Sequence, residues 1–179
     1  MLKRKYLQEI YLEIISFNFY KLTMLEKDTF KTVVKNTPLV SIDLCIVWDG
    51  KILLGKRKND PLRGFFFTPG GRILKNEAHI DCLKRVAKSE LGLIINDIKQ
   101  VKLMGVWDHF YKNSVFGNEV STHYVNLPHC VYYGKRPEII LDDQHDTIEW
   151  FDLSKVAYGN DFYKYMKSYA SWIISSETQ

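Results

Sequence analysis

The chain has 179 residues, of which 46% are hydrophobic and 26% charged, with 10 Gly and 5 Pro. This composition is typical of a compact globular protein of about one domain. Its net charge of +4 is spread along the chain without a basic block, which argues against nucleic acid as a partner. The three cysteines (Cys45, Cys82 and Cys130) lie far apart with no CxxC pair, so we expect reduced, mostly buried thiols.

The first residues carry no convincing export or membrane signal. Lys3, Arg4 and Lys5 could begin a signal peptide, but Glu9 and Glu13 interrupt the apolar stretch that would follow. The longest apolar runs, such as 14–20, are shorter than the roughly 20 residues that a membrane-spanning helix needs. We therefore expect a cytoplasmic protein with no membrane partner.

Apolar residues at helical spacing predict an amphipathic helix over residues 2–22. We expect it to dock on its own domain or on a partner subunit, since its polar face is mixed in sign rather than basic, as a membrane-surface helix would be. Residues 1–23 are thus predicted to be a helical extension and residues 24–179 the main domain. The apolar stripe consists of Leu7, Ile10, Tyr11, Ile14 and Ile15.

A helix and a hairpin are predicted next. The helix covers residues 27–36 and ends before Thr37-Pro38, because a residue ahead of proline disfavours the helical conformation. A strand over 40–47 then turns at Asp49-Gly50 into a second strand that begins at Lys51. Residues 65–67 and 72–74 are predicted to be strands on either side of a glycine turn at 69–71.

The second half of the chain alternates one helix with several strands. Residues 78–91 have helical periodicity, and Gly92 provides a C-terminal stop. The segments 101–111, 120–133 and 147–151 are aromatic and β-branched and are predicted to be strands. A final helix is expected over roughly 160–174, with one apolar face formed by Phe162, Tyr165, Met166, Tyr169 and Ile173.

One motif carries the chemistry. Gly71, Glu77, Arg85, Glu90 and Gly92 have the spacing of the Nudix box, so this segment resembles that of the Nudix hydrolases. Taken singly, the charged residues would more often form an exposed helix face than ligands. A glycine turn lets backbone carbonyls approach a cation, and a carboxylate on the following helix can meet it, so this segment suits a divalent ion and a diphosphate.

The box departs from the usual pattern at two positions. Val86 and Ser89 stand where the family has glutamates, so only Glu90 remains of the three carboxylates on this helix face. A cluster of several Mg²⁺ ions would be poorly neutralised by one carboxylate. A single ion, held partly by substrate oxygens, fits better.

The wider sequence resembles the GDP-mannose mannosyl hydrolases, a Nudix branch with the same two substitutions, over about residues 24–170. This resemblance implies an α/β Nudix fold, a mixed β-sheet between helices, with the N-terminal helix added. It also implies hydrolysis of GDP-mannose, and of GDP-glucose, to GDP and free sugar. Water would attack sugar carbon C1 and invert its configuration. The resemblance further implies a homodimer. The matching segments are 37–43, 53–57, 67–72, 89–93, 105–111, 122–125 and 143–146.

The resemblance also implies ligands for one Mg²⁺ ion, with Mn²⁺ as an alternative. They are the Gly70 carbonyl, the Glu90 carboxylate and the Gln144 side-chain oxygen, completed by the substrate diphosphate. All are oxygen donors, which Mg²⁺ prefers.

Three further residues are expected to contact the diphosphate. Arg57, Arg72 and Tyr124 carry N–H and O–H groups that can donate to phosphate oxygens and so stabilise the leaving group. Two roles are open for Arg85: it contacts the substrate, or it forms a structural bond to Glu77 and loop carbonyls. The guanine is expected on aromatic or backbone groups, with no choice among Phe65, Phe66, Trp107 and Phe110.

The residues around the sugar complete the expected site. His145 lies in a polar loop, and its imidazole suits removal of a proton from the attacking water. Asp43 interrupts an apolar strand, where a carboxylate needs a partner or a ligand. The resemblance places Asp43 and His109 beside the sugar, where Asp43 would stabilise positive charge at C1.

Two other functions remain open from the sequence alone. One is an ordinary Nudix pyrophosphohydrolase that splits the diphosphate of a nucleotide or nucleotide sugar. The other is a catalytically silent nucleotide-binding domain, which would tolerate the loss of box glutamates. The missing carboxylates count against the first, and the presence of Glu90 and His145 counts against the second.

Overall fold

The computed structural model describes residues 25–140 and 145–177. The helix predicted over 2–22 and the predicted ligand Gln144 lie outside the described residues. At His145 and Asp146 only the backbone is described. The chain divides into two compact units between residues 33 and 34, and the second contains all the strands described below.

Helix α1 covers Lys27–Asn36, as predicted, and ends ahead of Thr37-Pro38. The predicted hairpin is also confirmed, because strand β1, Leu39–Trp48, and strand β2, Lys51–Arg57, pair antiparallel through Trp48 and Lys51. Asp49 and Gly50 between them have positive φ angles of 50° and 66°, the conformation that a tight two-residue turn requires.

Eight strands form one mixed sheet in the described part of the chain. The strands are β1 Leu39–Trp48, β2 Lys51–Arg57, β3 Phe66–Phe67, β4 Gly70–Arg72, β5 Val101–Leu103, β6 Trp107–Tyr111, β7 Thr122–Tyr132 and β8 His145–Asp152. Strand β1 is central: it pairs parallel with β7 and antiparallel with β2 and β4. Strands β3 and β8 pair with β2, and β5 and β6 pair with β7.

Helices cover both faces of the sheet. Helix α2, His79–Leu91, packs its buried face on alternate residues of β1, among them Ile42 and Leu44. Helices α3, Leu153–Tyr158, and α4, Lys164–Glu177, pack on the opposite face against Cys45 and Val47 of the same strand. The predicted mixed sheet between helices is therefore confirmed.

The structure corrects four element predictions. Gly70 and Gly71 do not form a turn but belong to β4, which pairs with β1 rather than with the preceding strand. The strand predicted over 101–111 is broken at 104–106, where Gly105 has a φ of 121°. The six-residue α3 was not predicted, and the last helix begins at Lys164 rather than near 160.

The cysteine prediction is confirmed, since all three thiols are free and buried. Among the described residues, no helix is long and apolar enough to cross a membrane.

Candidate active site

Six of the predicted site residues line one cavity of about 90 Å³. Strands β1, β2, β4, β6 and β7 all contribute to it, so the predicted residues meet although they are far apart in sequence. Because each stands on a strand of the sheet, the backbone ladder fixes their relative positions. The six are Asp43, Arg57, Gly70, Arg72, His109 and Tyr124.

Asp43 is the buried carboxylate of this cavity, with 6% of its surface exposed. Its Oδ2 accepts two hydrogen bonds, from Asn126 Nδ2 at 2.7 Å and from Tyr169 Oη at 2.9 Å. Burial raises the pKa of Asp43 to about 7, although both hydrogen bonds and the positive charge of Arg57 act to lower it. Asp43 therefore has two hydrogen-bond partners, as expected for a carboxylate in an apolar strand.

His109 is enclosed by aromatic rings, with 1% of its surface exposed. It stacks on Tyr165, with ring centroids 3.7 Å apart and planes 15° apart. Its Nε2 lies 3.1 Å from Tyr169 Oη, and its Nδ1 lies 3.3 Å from Asn126 Nδ2. Burial and the charge of Lys164 lower the pKa of His109 to about 4, so the ring is neutral near pH 7.

Arg57 and Tyr124 form the polar side of the cavity. Arg57 Nε donates to the Pro61 carbonyl at 2.9 Å, which fixes the guanidinium. Burial raises the pKa of Tyr124, and the charges of Arg57 and Arg72 oppose this shift. The phenol therefore stays protonated and can donate a hydrogen bond. The backbone of His145 lies opposite Arg57 in the β2–β8 pair, which brings this end of β8 beside Arg57.

Arg85 is held by Glu77 on the far side of β4. Its Nε and Nη2 donate to the two Glu77 carboxylate oxygens at 2.6 and 2.9 Å, and Nη2 also donates to the Arg72 carbonyl at 2.9 Å. Although partial burial raises the pKa of Glu77, hydrogen bonds from Arg85 and the Leu74 amide bring it below its ordinary value. These contacts favour the structural alternative for Arg85, which ties the loop after β4 to α2.

The NUDIX domain family model matches residues 38–171 of the chain. The chain belongs to the Nudix family. This Nudix hydrolase is 38% identical over 130 residues to the low-salt glycan biosynthesis protein Agl8 of Haloferax volcanii. The match covers 73% of this chain and 81% of that protein.

Two further similarities extend the comparison. The chain is 33% identical over 140 residues to the ADP-ribose pyrophosphatase of Methanocaldococcus jannaschii, covering 75% of each protein. The crystal structure of a MutT NUDIX hydrolase from Burkholderia pseudomallei superimposes with a TM-score of 0.61 at 25% identity. That superposition covers 77% of this chain and 99% of that one.

The Nudix helix α2 carries few metal-ligating groups. Val86 is 1% exposed, and its Cγ2 would lie only 3.0 Å from a Cβ on Gly71, so a methyl group stands where the usual box has a carboxylate. Ser89 is exposed, whereas Glu90 is 5% exposed. Within the described ranges, no three His, Cys, Asp or Glu side chains come together to hold a metal ion.

Strand β4 directs the Gly70 carbonyl away from its partner strand β1. Leu44 N donates to the Pro69 carbonyl and Ile73 N to the Val40 carbonyl in the β1–β4 pair. Because residues of an antiparallel strand alternate between facing the partner and facing away, the Gly70 and Arg72 carbonyls point away from β1. The Arg72 carbonyl accepts a hydrogen bond from Arg85 of α2, and the Gly70 carbonyl is directed to the same edge of β4.

Sequence reasoning missed two residues of this Nudix site. Nothing in the sequence of its strand distinguishes Asn126 as a site residue. The helical pattern places Tyr169 on the apolar face of the last helix. Tyr169 does lie on that face and is fully buried, but its hydroxyl reaches Asp43. The sequence did predict that Asp43 needs a partner. In the structure its partners are Asn126 and Tyr169.

Proposed function

We propose that this Nudix hydrolase converts GDP-mannose, and also GDP-glucose, to GDP and free sugar by attack of water at sugar C1 with inversion. The observation that carries the proposal is the composition of the cavity. A buried carboxylate, Asp43, stands beside diphosphate-binding groups, while the box helix lacks the carboxylates that several metal ions would need.

The leaving group in this reaction is GDP, whose diphosphate gains negative charge as the C1–O bond breaks. Arg57, Arg72 and Tyr124 line the same cavity and can donate hydrogen bonds to its oxygens. Because the Pro61 carbonyl fixes Arg57 and the sheet fixes the other two backbones, little reorganisation is needed as the charge develops.

The sugar carbon gains positive charge at the same time. An ionised Asp43 next to C1 would stabilise that charge, as carboxylates do in glycoside hydrolysis. The burial that raises the pKa of Asp43 also strengthens its field, since few water molecules surround it. We assign removal of the water proton to His145, whose backbone lies opposite Arg57 at the start of β8.

A divalent ion completes the proposal. The Gly70 carbonyl and the Glu90 carboxylate would hold one Mg²⁺, or Mn²⁺, together with Gln144 and the substrate diphosphate. When bound, the ion would neutralise charge on the departing diphosphate. One protein carboxylate suits one ion that shares its coordination with substrate oxygens.

The relatives support two different substrates. The name of the Haloferax relative refers to glycan biosynthesis, which fits a nucleotide sugar. The name of the Methanocaldococcus relative refers to ADP-ribose and a pyrophosphatase, which supports phosphoanhydride cleavage as the second candidate. The position of Val86 favours the first, because the usual metal carboxylate is absent there. We also propose a homodimer, which analytical ultracentrifugation would measure.

Labelled water distinguishes the candidates. The protein is incubated with GDP-mannose, Mg²⁺ and H₂¹⁸O, with ADP-ribose in a parallel reaction, and the products are analysed by mass spectrometry. Label in free mannose supports attack at C1. Label in GMP or mannose 1-phosphate shows attack at phosphorus, and no turnover of either compound identifies a binding domain. Replacing His145 with Gln should lower kcat far more than it changes KM.

A further inference from the structure

We propose that Tyr169 and Asn126 are positioning residues that orient the Asp43 carboxylate, so that Oδ1 and not Oδ2 faces the substrate. This inference rests on the proposed function for its catalytic meaning. The two residues stand on different elements, β7 and α4, and their contacts identify which oxygen of Asp43 acts.

The hydrogen bonds to Asp43 are strongly one-sided. Oδ2 accepts from both Asn126 and Tyr169, at 2.7 and 2.9 Å. Oδ1 lies on the other side, where a Cβ placed on Gly70 would stand 2.5 Å from it. Rotation of the carboxylate would break both bonds on Oδ2 while their donors remain buried, which is costly. Oδ1 is therefore the oxygen left for the cavity.

The same two residues also determine which nitrogen of His109 carries the proton. An ionised Asp43 accepts the one hydroxyl hydrogen of Tyr169, so the Tyr169 oxygen then accepts from His109 Nε2–H at 3.1 Å. The Nδ1 of a neutral ring is then bare and accepts from Asn126 Nδ2 at 3.3 Å. The second hydrogen of the Asn126 amide goes to Asp43. Tyr111 Oη lies 3.4 Å from His109 Nδ1 and can also donate to it. Each N–H and O–H of this network then has an acceptor, whereas Asn126 Oδ1 has no hydrogen-bond partner among the described residues.

This network changes the role of His109. Both of its ring nitrogens are engaged inside the protein, and the ring stacks on Tyr165 with 1% exposure. His109 therefore acts on the reaction through Tyr169 and Asn126, which fix Asp43, rather than by a hydrogen bond to the sugar. The C-terminal helix thereby becomes part of the active site's support.

Three variants test the positioning role. Tyr169→Phe and Asn126→Leu each remove one bond to Oδ2. Tyr169→Phe is the cleaner of the two, because Asn126 lines the cavity and Tyr169 is not among its lining residues. Tyr132→Phe is the matched control, because it removes a hydroxyl that joins β7 to α4 through Ser176, at 3.3 Å, away from Asp43. With GDP-mannose we expect kcat to fall about tenfold to a hundredfold in the first two, with KM within about twofold. The control should keep the wild-type kcat.

A second readout needs no substrate. Long-range ¹H–¹⁵N NMR of the histidine rings reports the protonated nitrogen, and we expect His109 as the Nε2–H tautomer in the wild type. Its ring signals should change in Tyr169→Phe and stay unchanged in Tyr132→Phe. An Nδ1–H tautomer, or equal loss of kcat in Tyr132→Phe, would overturn the positioning role.

The two proposals can fail separately. If the wild type does not release mannose from GDP-mannose, the proposed function fails, and the NMR result alone decides whether Tyr169 and Asn126 orient Asp43 and His109. If the wild type is active but Tyr169→Phe and Asn126→Leu both keep its kcat, the function stands and the positioning role is wrong. Thermal unfolding of each variant shows that it is folded when assayed.

Discussion

Gly70 lies directly opposite Asp43 in the antiparallel pair of β4 and β1. A Cβ at position 70 would stand 2.5 Å from Asp43 Oδ1 and 2.7 Å from the Ile42 carbonyl oxygen, closer than real Cβ atoms approach. The backbone of Gly70 is not in the left-handed region, so glycine is needed here for space rather than for conformation. The residue that supplies a proposed metal ligand therefore also makes room for the Asp43 carboxylate, which we propose is catalytic.

Gly70→Ala should consequently damage activity more than folding. The added methyl group would displace the Asp43 carboxylate and the β4 backbone, so we expect kcat for GDP-mannose to fall at least about tenfold and stability to fall by about 1–3 kcal/mol. Steady-state kinetics and urea unfolding measure the two effects. Gly134→Ala is the control, since nothing lies within 4 Å of its added Cβ. Full activity of Gly70→Ala would contradict the close approach of positions 70 and 43.

Arg85→Gln separates the two alternatives for this arginine. Because Arg85 bonds Glu77 and the Arg72 carbonyl, we expect its loss to lower the free energy of unfolding by about 1–3 kcal/mol, with KM for GDP-mannose changed by less than about threefold. Glu77→Gln should lower stability in the same way. A large rise in KM with unchanged stability would instead identify Arg85 as a substrate ligand.

Local signals in the sequence predicted much of the fold. Helix α1, the Asp49-Gly50 turn and the Gly92 end of α2 all depend on residues within a few positions of one another, and each is confirmed. The pairing of Gly70 and Gly71 with β1 depends on residues nearly 30 positions away, and the sequence suggested a turn instead. Helix α3 has only six residues, too few for a clear periodic pattern.

In the candidate site, too, contacts between residues far apart in the sequence were not predicted. The box spacing and the wider resemblance identified six residues that the fold brings to one cavity. The donors to Asp43 were missed because they lie 83 and 126 positions further along the chain. Tyr169 in particular fits an apolar helix face equally well as a packing residue. Only the tertiary structure distinguishes a tyrosine that merely fills space from one that directs its hydroxyl at a carboxylate.

Val86→Glu restores a carboxylate of the usual box at a position that lies in the hydrophobic core of this protein. Val86 is 1% exposed and touches the β4 backbone at Gly71, so an unpaired glutamate there should lower the free energy of unfolding by about 2 kcal/mol or more. Mg²⁺ should recover part of this loss, because the new carboxylate would lie near Glu90 and the Gly70 carbonyl. Urea unfolding with and without Mg²⁺ measures both effects.

Ser89→Glu is the comparison for that experiment. Ser89 is exposed, so the substitution should change stability by no more than about 0.5 kcal/mol without metal. If Mg²⁺ stabilises Val86→Glu no more than it stabilises the wild type, the ion does not bind beside the box helix, and the proposed ligands Gly70 and Glu90 are wrong.

The contribution of His109 to stability should decrease in acid. Burial and Lys164 lower its pKa in the folded state to about 4, against an ordinary value of 6.5, while Asp108 acts weakly in the opposite direction. As the pH falls from 6.5 to 4, the unfolded chain takes up a proton that the buried ring does not accept, so the contribution of His109 to the free energy of unfolding decreases through this window. Asp43 acts in the opposite direction, because burial raises its pKa to about 7 and the folded state takes up that proton first, and this residue is present in both the wild type and His109→Phe. The shift corresponds to at most about 3 kcal/mol.

Urea unfolding of the wild type and His109→Phe between pH 7.5 and 4 measures this contribution. His109→Phe keeps an aromatic ring on Tyr165 but cannot take up a proton, so it should start less stable at pH 7.5, because it loses the bonds to Tyr169 and Asn126, and then lose less stability on acidification. His129, whose pKa burial also lowers, is present in both proteins and cancels from the difference. Parallel pH curves would mean that His109 accepts a proton in the folded state as readily as in the unfolded chain, which the closed network around it forbids.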